Sequence, residues 1–205
     1  MTVYTKIPLD PKCKILDIGS GALGMGLFVK SGSVIALDID DKVRYAYGEK
    51  VVASANYLPF KNSSFNVVTA IDMLEHICAD ERRNVVNEMK RVGATILIHT
   101  PIGQQGLQTD IKINNTLRKL FGENSENTME HIKNGMITEK DLKTFFSNYE
   151  FYPTIHSTIQ YVVSILYGIS PVLAILFSPI LKRIHLTDSP YYAGVVCWHQ
   201  SETNG

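Results

Sequence analysis

Ile15-Leu16-Asp17-Ile18-Gly19-Ser20-Gly21-Ala22-Leu23-Gly24 joins an aliphatic run to three closely spaced glycines. Glycines at a strand end let the backbone turn through conformations closed to other residues and come close to a ligand, and a following helix start offers free N–H groups. Such a turn suits a nucleotide-like ligand. Taken alone, the Gly-x-Gly-x-x-Gly spacing is also met by a purely structural turn or, with Asp38 nineteen residues after Gly19, by a dinucleotide-binding fingerprint.

Asp17 separates these readings. A carboxylate two residues ahead of the first glycine repels a pyrophosphate but suits a cationic ligand end, such as the amino-acid end of S-adenosylmethionine. Asp38 closes the next apolar run, where a carboxylate can accept from both ribose hydroxyls, and Ile39 beside it offers an apolar surface for an adenine face.

Further runs rich in β-branched residues place seven strands at Lys14–Ile18, Ser33–Leu37, Lys50–Ala53, Phe65–Ile71, Ala94–His99, Glu150–Thr158 and Ala193–His199. Helices are expected between them at Met25–Lys30, Asp41–Tyr47 and Ala79–Arg91. The last carries Val85, Val86 and Met89 on one face against Arg82, Arg83, Glu88 and Lys90. This alternation predicts a doubly wound α/β domain with a mostly parallel sheet, whose ligands lie beyond the carboxyl ends of the strands.

The rhythm breaks over residues 100–135, a polar stretch with only Ile111–Phe121 reading as helix; a lid over the site is expected there. Thr138 followed by Asp141 reads as a helix start, with Leu142, Phe145 and Phe146 on one face. Ile159–Leu181 contains no charged residue and is long enough to test as a membrane span, but Gly168, Pro171 and Pro179 predict two short helices instead. A single crossing would also strand the last β-strand on the wrong side of a bilayer. The segment through residue 185 is expected to cover the core, to pair two copies of the chain as a homodimer, or to touch a membrane peripherally, with Lys182, Arg183 and His185 near the head groups.

With 205 residues, 45% of them hydrophobic and 20% charged, one domain spanning the chain is the default. Twenty basic residues balance twenty acidic ones, which argues against a nucleic-acid partner. Cys13, Cys78 and Cys197 are too few and too far apart for a disulfide scaffold or a zinc site. Together with the lack of an apolar leader, this predicts a soluble, cytoplasmic protein.

Five stretches in register resemble the successive motifs of the class I S-adenosylmethionine-dependent methyltransferases: Ile15–Gly24, Val34–Asp40, Ala53–Phe60, Ser64–Val68 and Asp72–His76. The similarity covers residues 14–101, leans toward the small-molecule, lipid and saccharide subgroup, and resumes weakly at residues 131–146 and 191–199. It implies a Rossmann-like, seven-stranded sheet with its last strand antiparallel. It implies that Asp17, Gly19, Ser20 and Gly21 surround the methionine end of S-adenosylmethionine, and that Asp38 holds the ribose. Ile39, Ser54 and Ala55 would border the adenine, and Asp72, Met73 and Leu74 the pocket floor. Departures are Leu23, Ser54 and Asn66, where the family often has glycine, aspartate and aspartate.

The activity implied is methyl transfer to a small-molecule, lipid-linked or saccharide acceptor, with oxygen favoured and S-adenosylhomocysteine as product. A hydroxyl acceptor is helped by a base, for which His76 and His131 are the first candidates and His99 a third. Glu75 is as well placed to cap a helix start as to act chemically. No metal is expected. Two rival functions remain, a non-catalytic binding module and a nicotinamide-dependent oxidoreductase.

Overall fold

The structure is a computed structural model and describes residues 10, 12–22, 24–27, 29, 33–45, 48–182 and 191–200. Its strands are β1 (Lys14–Ile18), β2 (Ser33–Asp38), β3 (Glu49–Val52), β4 (Phe65–Ile71), β5 (Gly93–Pro101), β6 (Glu150–His156) and β7 (Tyr191–His199). They form one sheet in the order β3-β2-β1-β4-β5-β7-β6. β1 to β5 pair in parallel, and β7 runs antiparallel to both β5 and β6.

The chain starts at the centre with β1, builds outward to β3, then crosses back to lay β4 on the other side of β1. The order therefore reverses between β1 and β4, and loops leaving those two strands diverge to opposite faces. That divergence opens a crevice at the strand carboxyl ends. The glycine turn leaves β1 into it, and Asp72–Leu74 leave β4 into it.

Both faces of the sheet are covered, so the central strands read as continuous apolar runs. On one face Leu16, Ile18, Val68, Ala70, Ile96 and Ile98 pack with Val85, Val86 and Met89 of α1 (Arg82–Val92) and with Leu142 of α4 (Glu139–Phe145). On the other, Ile15, Val67, Leu97, Val195 and Cys197 meet Cys13, Met25 and Val34. The start of α4 is a complete capping box: the Thr138 hydroxyl accepts from the Asp141 N–H, and the Asp141 carboxylate accepts from the Thr138 N–H.

Two expectations need correction. The early helical segments shrink to single 3-10 turns at Met25–Leu27 and Asp41–Tyr45, and Lys30 and Tyr47, which were to end them, lie outside the described residues. Residues 100–135 hold more helix than expected: α2 spans Gly103–Phe121 and α3 spans Glu126–Asn134. The buried stripe of α2 is Gly106, Thr109, Asp110, Ile113 and Asn114, at perfect helical spacing but mostly small or polar. Hydrophobic periodicity is blind to such a face.

The uncharged segment forms two helices, α5 (Ser157–Ile169) and α6 (Pro171–Lys182), broken at Ser170-Pro171. The strand expected through Thr158 stops at His156, whose Nδ1 accepts from the Thr158 N–H and caps α5. Among the described residues no helix is long and apolar enough to cross a membrane. Val172, Ile175 and Leu176 of α6 and Tyr167 of α5 are exposed; Arg183 and His185, proposed to meet head groups, lie outside the described residues.

Candidate functional site

The glycine turn is built around Asp17. Its carboxylate is 3% exposed and accepts from the Ser20 hydroxyl (2.6 Å), the Met25 N–H (2.8 Å) and the Thr69 hydroxyl of β4 (2.8 Å). Burial raises its pKa, and the three donors oppose that rise. Asp17 and Ser20 thus face each other inside the turn, where they fix its shape.

Gly19 and Gly21 take φ of 69° and 58°, in the left-handed region. A Cβ on Gly19 would stand 2.3 Å from the Met73 side chain, whereas a Cβ on Gly21 would meet nothing within 4 Å. The turn is closed against β4 at Gly19 and open outward at Gly21. Asp38 reaches back to it, one carboxylate oxygen accepting from the Gly21 N–H (2.8 Å) and the other from the Asp40 N–H (3.0 Å). Each oxygen retains a lone pair for a further donor.

Beside this turn Ile39 is 76% exposed, an unusual state for isoleucine, and Ser54 and Ala55 are half-buried after β3. The Ser54 hydroxyl accepts from the Asn56 N–H. Asn66, the other described departure from the family pattern, accepts from the Lys14 N–H, while Leu23 lies outside the described residues. An open glycine turn, an acid with spare acceptor capacity and an exposed apolar side chain together fit an adenosine-bearing ligand.

Past β4 the chain bends at Asp72, a non-glycine residue with φ of 48° whose carboxylate holds the His99 Nδ1 at 2.6 Å. His99 Nε2 meets the Thr154 hydroxyl, so both ring nitrogens are engaged. Met73 and Leu74 are buried in the core cluster.

Directly beyond lie Glu75 and His76, in a 3-10 turn, facing His131 of α3. His76 Nε2 and His131 Nε2 are 3.3 Å apart. Each ring is backed by a carboxylate at its other nitrogen: His76 Nδ1 by Glu130 at 2.7 Å and His131 Nδ1 by Asp110 at 2.7 Å. Asp110 is fully buried and also accepts from the Tyr192 hydroxyl (3.0 Å). Burial would pull the His131 pKa down, but the hydrogen bond and charge of Asp110, with Glu75 and Glu130, outweigh it and raise the value.

Glu75 is 1% exposed; one oxygen accepts from the Thr100 hydroxyl (3.2 Å), and the other has no partner among the described residues. Burial first, then the charge of Asp72, pushes its pKa up to about 7. The two sides of this cluster are clamped. Buried Arg82 donates to the carbonyls of Leu74 and Ile77 and to those of Asn134 and Gly135, while the Asn134 amide donates to the His76 carbonyl.

The structure therefore brings the two candidate bases together and adds four residues that the sequence reading passed over: Asp110, Glu130, Tyr192 and Arg82. Asp110 was legible in one way only, as a member of the small and polar stripe of α2. Pairing of Glu130 and His76 across chain-distant elements left no local trace.

Residues 16–95 match the family described as a methyltransferase domain. No curated protein matches the chain. Among solved structures, YcgJ protein from Bacillus subtilis is 17% identical, with a TM-score of 0.54 over 95% of this chain and 94% of its own. A proposed methyltransferase from an antibiotic biosynthesis pathway of Anabaena variabilis is 13% identical, with a TM-score of 0.59 over 95% of this chain and 92% of its own. PH0226 protein from Pyrococcus horikoshii is 14% identical, with a TM-score of 0.52 over 92% of this chain and 82% of its own. At such identities the likeness is one of fold. The family match adds a methyltransferase domain over residues 16–95, the strands that carry the glycine turn.

Proposed function

We propose that this methyltransferase methylates a hydroxyl oxygen of a small acceptor, with the acceptor seated at the pocket of Glu75, His76 and His131. The observation that carries this reading is the placement of two carboxylate-backed imidazoles and a high-pKa carboxyl one step beyond Asp72–Leu74, where β4 opens into the crevice. A hydroxyl is a poor nucleophile until it loses its proton, and such a pocket favours that loss. A thiol or amine would need it less.

Asp38 and the Gly21 turn would hold the ribose, Ile39 the adenine, and the backbone at Gly19 to Gly21 the methionine end. Asp17 contributes by bracing the turn and by its buried negative charge nearby. When bound, S-adenosylmethionine supplies a methyl group on an already activated sulfonium, so the chain's own residues need only align the acceptor, exclude water and relieve the acceptor of a proton. The exposed apolar side chains of α5 and α6 support an acceptor with a lipid tail over a purely polar one.

Calorimetric titration with S-adenosylhomocysteine tests the cofactor side: Asp38→Ala is expected to weaken binding by about tenfold or more, the loss of charge-assisted hydrogen bonds. Unaltered affinity would remove the cofactor assignment. Incubating cell extracts with methyl-labelled cofactor tests the acceptor side, with label expected in a lipid-soluble methyl ether. Label found in protein or nucleic acid would sink the acceptor reading.

A further inference from the structure

The pocket of Glu75, His76 and His131 presents more acceptor lone pairs than donors. Glu130 and Asp110 are carboxylates and can only accept, so His76 Nδ1 and His131 Nδ1 carry the hydrogens in those contacts. In the neutral rings that leaves His76 Nε2 and His131 Nε2 as bare lone pairs pointing at each other across 3.3 Å. A third acceptor, one oxygen of buried Glu75, also lacks a partner among the described residues. One ligand atom from each of the three residues lies within 4.8 Å of the other two. Three converging acceptors around one point are relieved by a positive charge between them, either a proton on one ring or a bound cation.

The spacing selects the kind of cation. Two nitrogens bound tetrahedrally at the usual zinc distance of about 2.0–2.1 Å stand about 3.3 Å apart. The observed separation of the two Nε2 atoms is that edge. Ligating histidines also characteristically donate their other N–H to a carboxylate, which fixes ring and tautomer, and both rings here do so. Asp110 is itself steadied by Tyr192, and Arg82 locks the turn bearing Glu75 and His76 to the end of α3 that bears His131. The donor set, two imidazoles and one carboxylate, is one that borderline divalent ions prefer.

We infer that Glu75, His76 and His131 form a binding site for a single divalent transition-metal ion of the zinc type, with a coordination position left open. Nothing local in the sequence signals this site, since Glu75 and His76 are adjacent but His131 is brought in by α3 from far along the chain. The inference rests on the reading of this pocket as the acceptor end of the site. It sharpens that reading: the two histidines would serve as ligands, and the ion would lower the pKa of the acceptor hydroxyl so that its proton passes to solvent water rather than to an imidazole.

The test uses the full chain, stripped with a chelator and dialysed against zinc without cofactor or acceptor. Roughly one bound ion per chain is expected, since three ligands form one site, and cobalt in its place should show the visible bands of a low-symmetry site with nitrogen ligands. His76→Ala, whose ring is partly exposed, and Glu75→Gln should each weaken zinc binding by about tenfold or more. Affinity for S-adenosylhomocysteine should stay as in the unaltered protein. That second titration keeps the two readings apart: lost cofactor binding with intact zinc binding would strike the cofactor assignment alone. Absence of stoichiometric zinc, or zinc binding indifferent to His76→Ala, would overturn the metal site and leave a shared proton between the two rings.

Discussion

Two buried carboxylates stand at the mouth of the crevice, Asp17 at the end of β1 and Glu75 just beyond β4, and burial raises the pKa of both. Asp17 accepts three hydrogen bonds from its own neighbourhood, whereas Glu75 accepts one and keeps a bare oxygen. A satisfied buried acid belongs to the scaffold; its job is finished when the chain has folded. An unsatisfied one is held in place at a cost, and the surrounding clamp of Arg82 and Asn134 is what holds it. The glycine turn is therefore a finished structure, and the histidine pocket is one awaiting a charge.

The largest effect expected from breaking this contrast is at Asp17. Asp17→Ala strips the acceptor from the Ser20 and Thr69 hydroxyls and the Met25 N–H in the middle of the sheet. The hydroxyls can turn to other partners but the N–H cannot, so a loss of about 3 kcal/mol is expected, read as a lower urea midpoint at unchanged slope. A loss well under 1 kcal/mol would mean that the turn does not depend on its carboxylate.

Gly19 and Gly21 sharpen the same side. Both have positive φ, so alanine costs backbone strain at either, but only at Gly19 does the new methyl collide with Met73. Gly19→Ala is expected to cost about 2 kcal/mol and Gly21→Ala about 1 kcal/mol. The order should invert for ligand: Gly21→Ala projects its methyl into the open side of the turn and should weaken S-adenosylhomocysteine binding more than its stability loss accounts for. Equal effects of the two substitutions on binding would place the ligand elsewhere.

The contrast also explains what could be read from the sequence. β1, β4 and β5 are buried on both faces and announce themselves as apolar runs, and the glycine turn is a local pattern, so the fold and half of the site lie on the surface of the text. The other half is made by residues that meet only in three dimensions. Asp110 and Asn114 bury a polar helix face that carries no hydrophobic period, and Arg82 looks like a solvent charge until its guanidinium is seen bonded to four carbonyls. Asp17 stands out by its position, yet charge alone does not show that its oxygens turn inward. Glu75 stays open in the sequence between a cap and a chemical group because only burial distinguishes a cap from a trapped acid.

Glu75→Gln tests whether that distinction is real. In the metal-free protein it removes a buried negative charge with an unpartnered oxygen and replaces it by an amide of the same shape that can donate to a histidine Nε2 lone pair. Removing such a charge is neutral or favourable where removing a satisfied one is costly, so stability at pH 8 should hold or rise by about 1 kcal/mol. A fall comparable to that of Asp17→Ala would show that Glu75 is as fully engaged as Asp17 and that the pocket is scaffold. Retained stability with lost zinc binding and lost methyl transfer would separate what the protein needs in order to fold from what it keeps unsatisfied in order to act.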